Sequence, residues 1–381
     1  MKEVYLDNSA TTRPLDEVVK ATVEVLQENY GNPSSLHNKG LTAERVLKKA
    51  REKIAEKLKV SAQEIYFTSG GTESNNLAIK GIAYQYQNRG KHIISSEIEH
   101  ASVLESFKAL EKEGFEVSYL KVDKQGYISL EELENTIKNT TSLVSLIHVN
   151  NELGTIQDIK KIGKIIKNKN PLTYFHIDAV QSLGKILLEP AKNNIDLLTI
   201  SSHKIHGPKG IGALYLKKGI EVKTQSHGGG QEKGIRNGTE NVPGIAGLIP
   251  AIEALPDFSN NYPANEKLEK LKTYFLEKLK EVKKEVVINS PEKGAPHVLS
   301  LSFPGIKAEV LIHSLESKGI YVSTGSACHS RNAVKSHVLR AINLPEKLID
   351  GTIRVSFSHF NTKEEIDYTI NTLNEQLEMF F

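Results

Sequence analysis

Cysteine is nearly absent from this chain: Cys328 is the single one among 381 residues. A lone thiol excludes an internal disulfide and a cysteine-based zinc site, and it fits a reducing compartment. Long apolar runs are also missing; none reaches the roughly 18 residues that a membrane-crossing helix needs. The stretch Met1–Asn8 does not combine a basic region, an apolar region and a small-residue cleavage site, so no secretory signal is expected and a cytoplasmic location is. Excess charge of one sign is lacking too. The formal net charge of +3 is dispersed, which gives no reason to expect nucleic acid or a membrane as partner. Internal repeats and low-complexity tracts are absent.

What is present is an ordinary globular composition, 39% hydrophobic and 25% charged. The length exceeds that at which single cores stop growing, so two domains, or a large one with a smaller companion, are expected. Strand-like apolar runs alternate with helical stretches, which predicts α/β architecture. The runs are Glu64–Thr68, His92–Ser95, Leu143–Val149, Thr173–Asp178 and Asp196–Ser201, and each ends in polar residues. In open parallel sheets, ligands bind at that end of the strands. Helical periodicity is plain in Ala43, Val46, Leu47, Ala50, Ile54 and Leu58, and again in Leu268, Leu271, Phe275, Leu279 and Val282. A further helix is expected from about Glu73, and residues 255–263 form the best linker candidate.

Five strand ends carry chemistry. Ser69-Gly70-Gly71-Thr72-Glu73 offers glycines, a hydroxyl and a helix start; it suits a phosphate group, and it equally suits a plain helix cap with Thr72 as the capping residue. His100, just past a strand, reads as a structural or a functional imidazole. His148-Val149-Asn150-Asn151-Glu152 is a third polar end. Asp178 emerges from an apolar strand, where a carboxylate needs a partner: a loop cap, a salt bridge or a cofactor. The fifth, Ser201-Ser202-His203-Lys204-Ile205-His206-Gly207-Pro208-Lys209-Gly210, places Lys204 three residues past a strand among hydroxyls and histidines. Burial and nearby cations lower a lysine's pKa and make it a usable nucleophile; facing water is the ordinary alternative. Cys328 itself sits among small and polar residues, Ser323 to Ser330, with no apolar periodicity over 323–333, which predicts an exposed loop; a functional thiol and a small buried hydrophobe, the ordinary role of a free cysteine, are the two readings.

Taken together, these segments resemble the cysteine desulfurases of the NifS and IscS type, within the class V aminotransferase group of fold-type I enzymes that use pyridoxal 5′-phosphate (PLP). The resemblance runs from Tyr5-Leu6-Asp7-Asn8-Ser9-Ala10-Thr11-Thr12 and Tyr30-Gly31-Asn32-Pro33 through the Ser-x-His-Lys-x-x-Gly-Pro-Lys-Gly stretch to Thr324-Gly325-Ser326-Ala327-Cys328 and Gly351-Thr352-Ile353-Arg354. It implies a large PLP-binding domain over 14–256, with a mostly parallel seven-stranded sheet flanked by helices. Residues 1–13 and 257–381 would form a smaller α+β domain carrying the cysteine loop at about 323–335.

The family pattern also implies roles. Lys204 would carry the cofactor covalently and move the substrate's Cα proton. Asp178 would pair with the protonated pyridine nitrogen, Gln181 with the phenolic oxygen, and His100 would stack on the ring and assist proton transfer. Gly71, Thr72, Ser201 and His203 would hold the phosphate, joined by Thr239 from the second subunit of a homodimer. Asn151 and Arg354 would bind the substrate carboxylate, Arg354 through a bidentate pair. Cys328 would take sulfur from L-cysteine as a persulfide and leave L-alanine. No resident metal is implied, although Cys328 would be able to ligate an iron–sulfur cluster in passing.

Sulfur must then leave on an acceptor protein. The chain stops short of the tail that scaffold-docking members carry, so a tRNA-thiolation enzyme or another carrier stands beside iron–sulfur assembly as the expected destination. A selenocysteine lyase or a cysteine/cystine C–S lyase is the alternative enzyme, and a non-catalytic sulfur relay is the alternative of another class.

Overall fold

The computed structural model describes residues 3–258, 264–324 and 335–380. Its strands in chain order are β1 (Val4–Tyr5), β2 (Ile65–Thr68), β3 (His92–Ser96), β4 (Glu116–Leu120), β5 (Thr141–Ile147), β6 (Tyr174–Asp178), β7 (Leu197–Ser201), β8 (Gly212–Leu216), β9 (Val287–Ile288), β10 (Val298–Ser302), β11 (Ile320–Tyr321) and β12 (Thr352–Ser356). Seven of them form one sheet in the order β2-β8-β7-β6-β5-β3-β4. From β7 to β4 all pairings are parallel; β8 runs antiparallel to both its neighbours.

Side-chain alternation explains why this sheet is covered on both faces. Ile94, Val144 and Leu198 enter one apolar cluster, with Ala43, Leu47, Ala50 and Ile54 of the helix Asn38–Leu58. Their immediate neighbours Ile93, Leu143 and Leu197 enter another, with Leu77, Ile79 and Ile82 of the helix Gly71–Tyr86. Residues adjacent along a strand point to opposite faces, so apolar pairs of this kind dictate a strand with a helical layer on each side. Each such buried side chain contributes roughly 1.5–3 kcal/mol relative to exposure.

Another large apolar cluster is separate. Val4 and Leu6 pack with Leu268, Leu271, Phe275, Leu299, Leu301, Phe357, Ile366 and Leu373 around the antiparallel group β12-β10-β9 and the parallel pair β1-β11. The amino-terminal strand therefore packs with the carboxy-terminal third of the chain. Among the described residues no helix is long and apolar enough to cross a membrane.

Three local expectations shift. The helix expected from Glu73 begins at Gly71, capped by Gly70 at φ 150°, a backbone angle that favours glycine; Thr72 lies inside the helix and is not its cap. β5 ends at Ile147, and Val149 instead bridges Ile156. The helix Glu266–Leu279 ends before Val282, which packs against the core from beyond it.

Candidate active site

A cavity of about 300 Å³ opens where β6 and β7 end. Its floor is Asp178, the last residue of β6, 2% exposed. Asn75 Nδ2 donates to Asp178 Oδ2 at 2.8 Å, and the backbone N–H of Val180 donates to Oδ1 at 3.0 Å. The partner that the sequence left open is thus supplied in part by an amide. Asn75 Nδ2 also donates to Ser102 Oγ at 2.9 Å, and Ser102 Oγ lies 2.8 Å from His100 Nδ1. His100 Nδ1 accepts from the Ser102 backbone N–H, capping the helix Ala101–Lys112. An accepting Nδ1 places the ring proton on Nε2. His100 is both cap and cavity lining, so the two readings of this residue coexist.

Lys204 closes the short turn Ser202–Lys204 directly after β7. Its Nζ donates to the backbone carbonyls of Ser9 and Ala10, the latter at 2.7 Å. The same amino-terminal segment holds the turn from the other side: Thr12 donates through both N–H and Oγ1 to the His203 carbonyl, each at 2.9 Å. Gln181 Nε2 donates to the Ser9 carbonyl at 3.0 Å. Burial first, then the nearby Lys204, Lys209 and Lys185, pull His203 down to about 4, so its imidazole is neutral near pH 7.

Gly71 and Thr72, in the first turn of Gly71–Tyr86, line the cavity together with Ser201 and His203. The unpaired N–H groups of a helix start suit an anion. A side chain at Gly71 would bring a Cβ within 2.8 Å of Val180 Cγ2, so any larger residue there would have to displace the Val180 side chain. Glu73 accepts from the Ser69 N–H at 2.7 Å and from Arg236 Nε at 2.9 Å, tying this turn to residues 231–236. Thr239, three residues past Arg236, is exposed and does not line the cavity.

Arg354, in β12, is 3% exposed and enters from the small apolar core. Its Nη1 donates to the Asn151 carbonyl at 3.1 Å, which brings together the two residues expected to bind a carboxylate. Its Nη2 donates to Asp7 Oδ1 at 2.7 Å. In this structure one arm of the fork is therefore taken by Asp7, where the sequence led us to expect both for substrate.

Cys328 and its neighbour His329 lie outside the described residues. The chain on either side of that segment meets the cavity: Ser323 bridges Arg354, Ser336 Oγ donates to Glu152 Oε2 at 2.5 Å, and His337 Nε2 donates to the Glu99 carbonyl at 2.9 Å. Arg354, Glu152 and His337 all line the cavity.

Several residues at the site escaped sequence reasoning: Ser9 and Ala10 as acceptors for Lys204, Asp7 on Arg354, and Asn75 on Asp178. Asn75 had a readable signal. It shares the buried helical face of Ala78, Ile79 and Ile82, where a lone amide needs a partner. The carbonyls of Ser9 and Ala10 had none, because a backbone acceptor has no residue type.

The cavity fits the cofactor that the sequence implied. A buried carboxylate stands at its floor, a lysine amine and a neutral imidazole at its side, and a glycine-bounded helix start at its end. These features, on a mostly parallel seven-stranded sheet, define a fold-type I PLP enzyme. The chain belongs to the aminotransferase class-V family, whose profile matches residues 4–369. It is 46% identical over 374 residues to the cysteine desulfurase IscS of Methanosarcina thermophila, covering 98% of this chain and 92% of that one. Among solved structures, a NifS-like protein superposes with a TM-score of 0.91 at 41% identity, covering 99% of this chain and all (100%) of the other. SspA in complex with cysteine superposes with a TM-score of 0.83 at 35% identity over 94% of this chain and 100% of that one. PLP is the family's cofactor, and it is the cofactor of this chain.

Proposed function

We propose that this chain is a PLP-dependent cysteine desulfurase that converts L-cysteine to L-alanine and holds the sulfur as a persulfide on Cys328 for transfer to an acceptor protein. The carrying observation is that Lys204, Asp178 and Arg354 share one cavity whose rim is reached by both flanks of the segment bearing the sole cysteine.

PLP, when bound, supplies an electron sink for the carbon attached to the substrate nitrogen. Asp178, held by Asn75 and Val180, would keep its charge at the pyridine nitrogen, and Gln181 and His100 would set the ring's orientation. Gly71, Thr72, Ser201 and His203 would hold the phosphate. Arg354 would exchange Asp7 for the substrate carboxylate, with Asn151 beside it. Lys204, as a neutral amine, would accept the Cα proton and return it. Cys328 would attack as thiolate: its S–S bond forms as the substrate's C–S bond breaks, and the released electron pair stays on carbon, which is protonated to alanine's methyl group.

A homodimer is part of this reading, with the partner subunit's Thr239 completing the phosphate site. Val19, Val23 and Leu26 form an exposed stripe on the helix Asp16–Gln27, and an apolar face of this kind favours a second copy; Tyr30, Leu36 and Leu41 are exposed as well. A cytoplasmic location, the domain division at residues 13 and 256, and delivery to iron–sulfur assembly or tRNA thiolation complete the proposal.

The test is to add L-cysteine to purified wild type and Cys328→Ser while following alanine, persulfide and the cofactor's absorbance together. Wild type yields alanine and a persulfide on Cys328, and the variant keeps its cofactor but releases no sulfur. Equal turnover by the variant would favour a lyase, and a colourless, inactive wild type would favour a non-catalytic relay.

A further inference from the structure

The proposed chemistry leaves one buried amine at the site unused. Lys185 follows Asp178 and Gln181 in the same loop and is 9% exposed. Its Nζ donates to the backbone carbonyl of Lys204 at 2.6 Å, its one hydrogen-bond partner among the described residues. No carboxylate among the described residues pairs with it. A buried amine without a counter-ion is costly to keep charged. Burial first, then repulsion from Lys204, draws Lys185 down to about 7. An apolar side chain of the same length would fill the space without that cost, so what distinguishes lysine here is the bond to the Lys204 carbonyl.

The backbone of Lys185 has a second engagement. Its carbonyl accepts from the Asn265 N–H at 2.9 Å, and Asn265 caps the helix Glu266–Leu279 through its side chain. Next to it, Ile186 bridges Ala264. One residue thus touches both the turn that carries the cofactor lysine and the start of the first helix of the smaller apolar core.

We propose that Lys185 is a positioning residue for Lys204: its amine holds the Lys204 carbonyl, sets where the Lys204 amine stands, and ties that turn to the start of the Glu266–Leu279 helix. The inference rests on Lys204 being the PLP lysine and does not need the desulfurase reading.

Lys185→Met removes the donor and keeps the bulk; Lys185→Gln restores an uncharged donor. The first readout is the rate at which each apoprotein captures PLP, followed by visible absorbance without cysteine. Lys185→Met is expected to capture about tenfold more slowly than wild type, and Lys185→Gln to recover most of that loss. In the holoenzyme, Lys185→Met lowers kcat about 30-fold with KM within about twofold, because misplacing a reacting group acts on the chemical step. Melting temperatures of the loaded variants stay within a few degrees of wild type. Wild-type capture by Lys185→Met overturns the proposal, as does equal slowing in both variants with a collapsed melting temperature. If Lys185→Met does not fold, Lys185→Gln decides alone: capture near the wild-type rate supports the proposal and slow capture overturns it. Should wild type capture PLP and release no alanine, the desulfurase reading falls while the capture comparison still decides the role of Lys185.

Discussion

The floor and the rim of the cavity are built differently. The floor comes from consecutive strand ends: Asp178 closes β6 and Lys204 follows β7, and their positions follow from parallel pairing of His176, Ile177 and Asp178 with Leu197, Leu198 and Thr199. The rim comes from residues far apart in the chain. Arg354 meets Asp7 and Asn151, and His337 meets Glu99. A floor held by sheet hydrogen bonds suits a cofactor that must not move. A rim assembled from distant segments suits a substrate that must enter and leave.

That contrast predicts a ranking of effects. Lys204→Ala, on the floor, should reduce turnover by at least about 10³-fold while the fold survives, measured as alanine release alongside circular dichroism. Asn75→Ala, also on the floor, touches neither substrate nor cofactor in this reading. By releasing Asp178 it should lower kcat about tenfold to a hundredfold and weaken PLP retention on dialysis; retention equal to wild type would show that Val180 alone suffices to hold the carboxylate. Arg354→Lys, on the rim, should act chiefly on KM, raising it about tenfold or more with kcat less affected, because lysine lacks the planar fork. A loss confined to kcat would move Arg354 from substrate binding to the chemistry.

The smallest expected effect concerns stability and lies between the two regions. Glu99 is fully buried, and burial pushes its carboxyl up to about 8, with Asp178 adding to the rise against hydrogen bonds from Ser96 and Ile147. Unfolded, it ionises in the ordinary carboxyl range near 4.5. Between those values the folded state holds the extra proton, so this group makes stability fall as pH rises from about 4.5 to about 8. Glu99→Gln removes that slope and should narrow the difference in unfolding free energy between pH 5 and pH 8, read from urea titrations, relative to wild type, by an amount on the order of a few kcal/mol. An unchanged difference would mean that Glu99 is ionised in the folded protein.

Much of the floor was legible in the sequence, because its residues are short-range consequences of pattern. An apolar run ending in Asp178, another followed by Lys204, and glycines before a helix each mark a position without knowledge of the fold. Asn75 was also within reach, as an amide on an apolar helical face. The rim was not legible from pattern alone. Asp7 and Arg354 are separated by most of the chain, and nothing local states that β1 packs with the carboxy-terminal core. The helix start illustrates the same limit on a small scale: Thr72 has the chemistry of a cap, yet Gly70 takes that place because only glycine readily adopts its backbone angle.

The sequence by itself determined the class of protein, the placement of Asp178 and Lys204 at consecutive strand ends, and the uniqueness of Cys328, since each depends on residue type, spacing and family pattern. Tertiary structure decided which carbonyls hold Lys204, that Asp7 occupies one arm of Arg354, that Asn75 stands behind Asp178, and that Lys185 reaches the carbonyl of Lys204. These are contacts between backbone or side-chain atoms distant in sequence, and their energies exist only once the sheet and the smaller core have brought them within hydrogen-bonding distance.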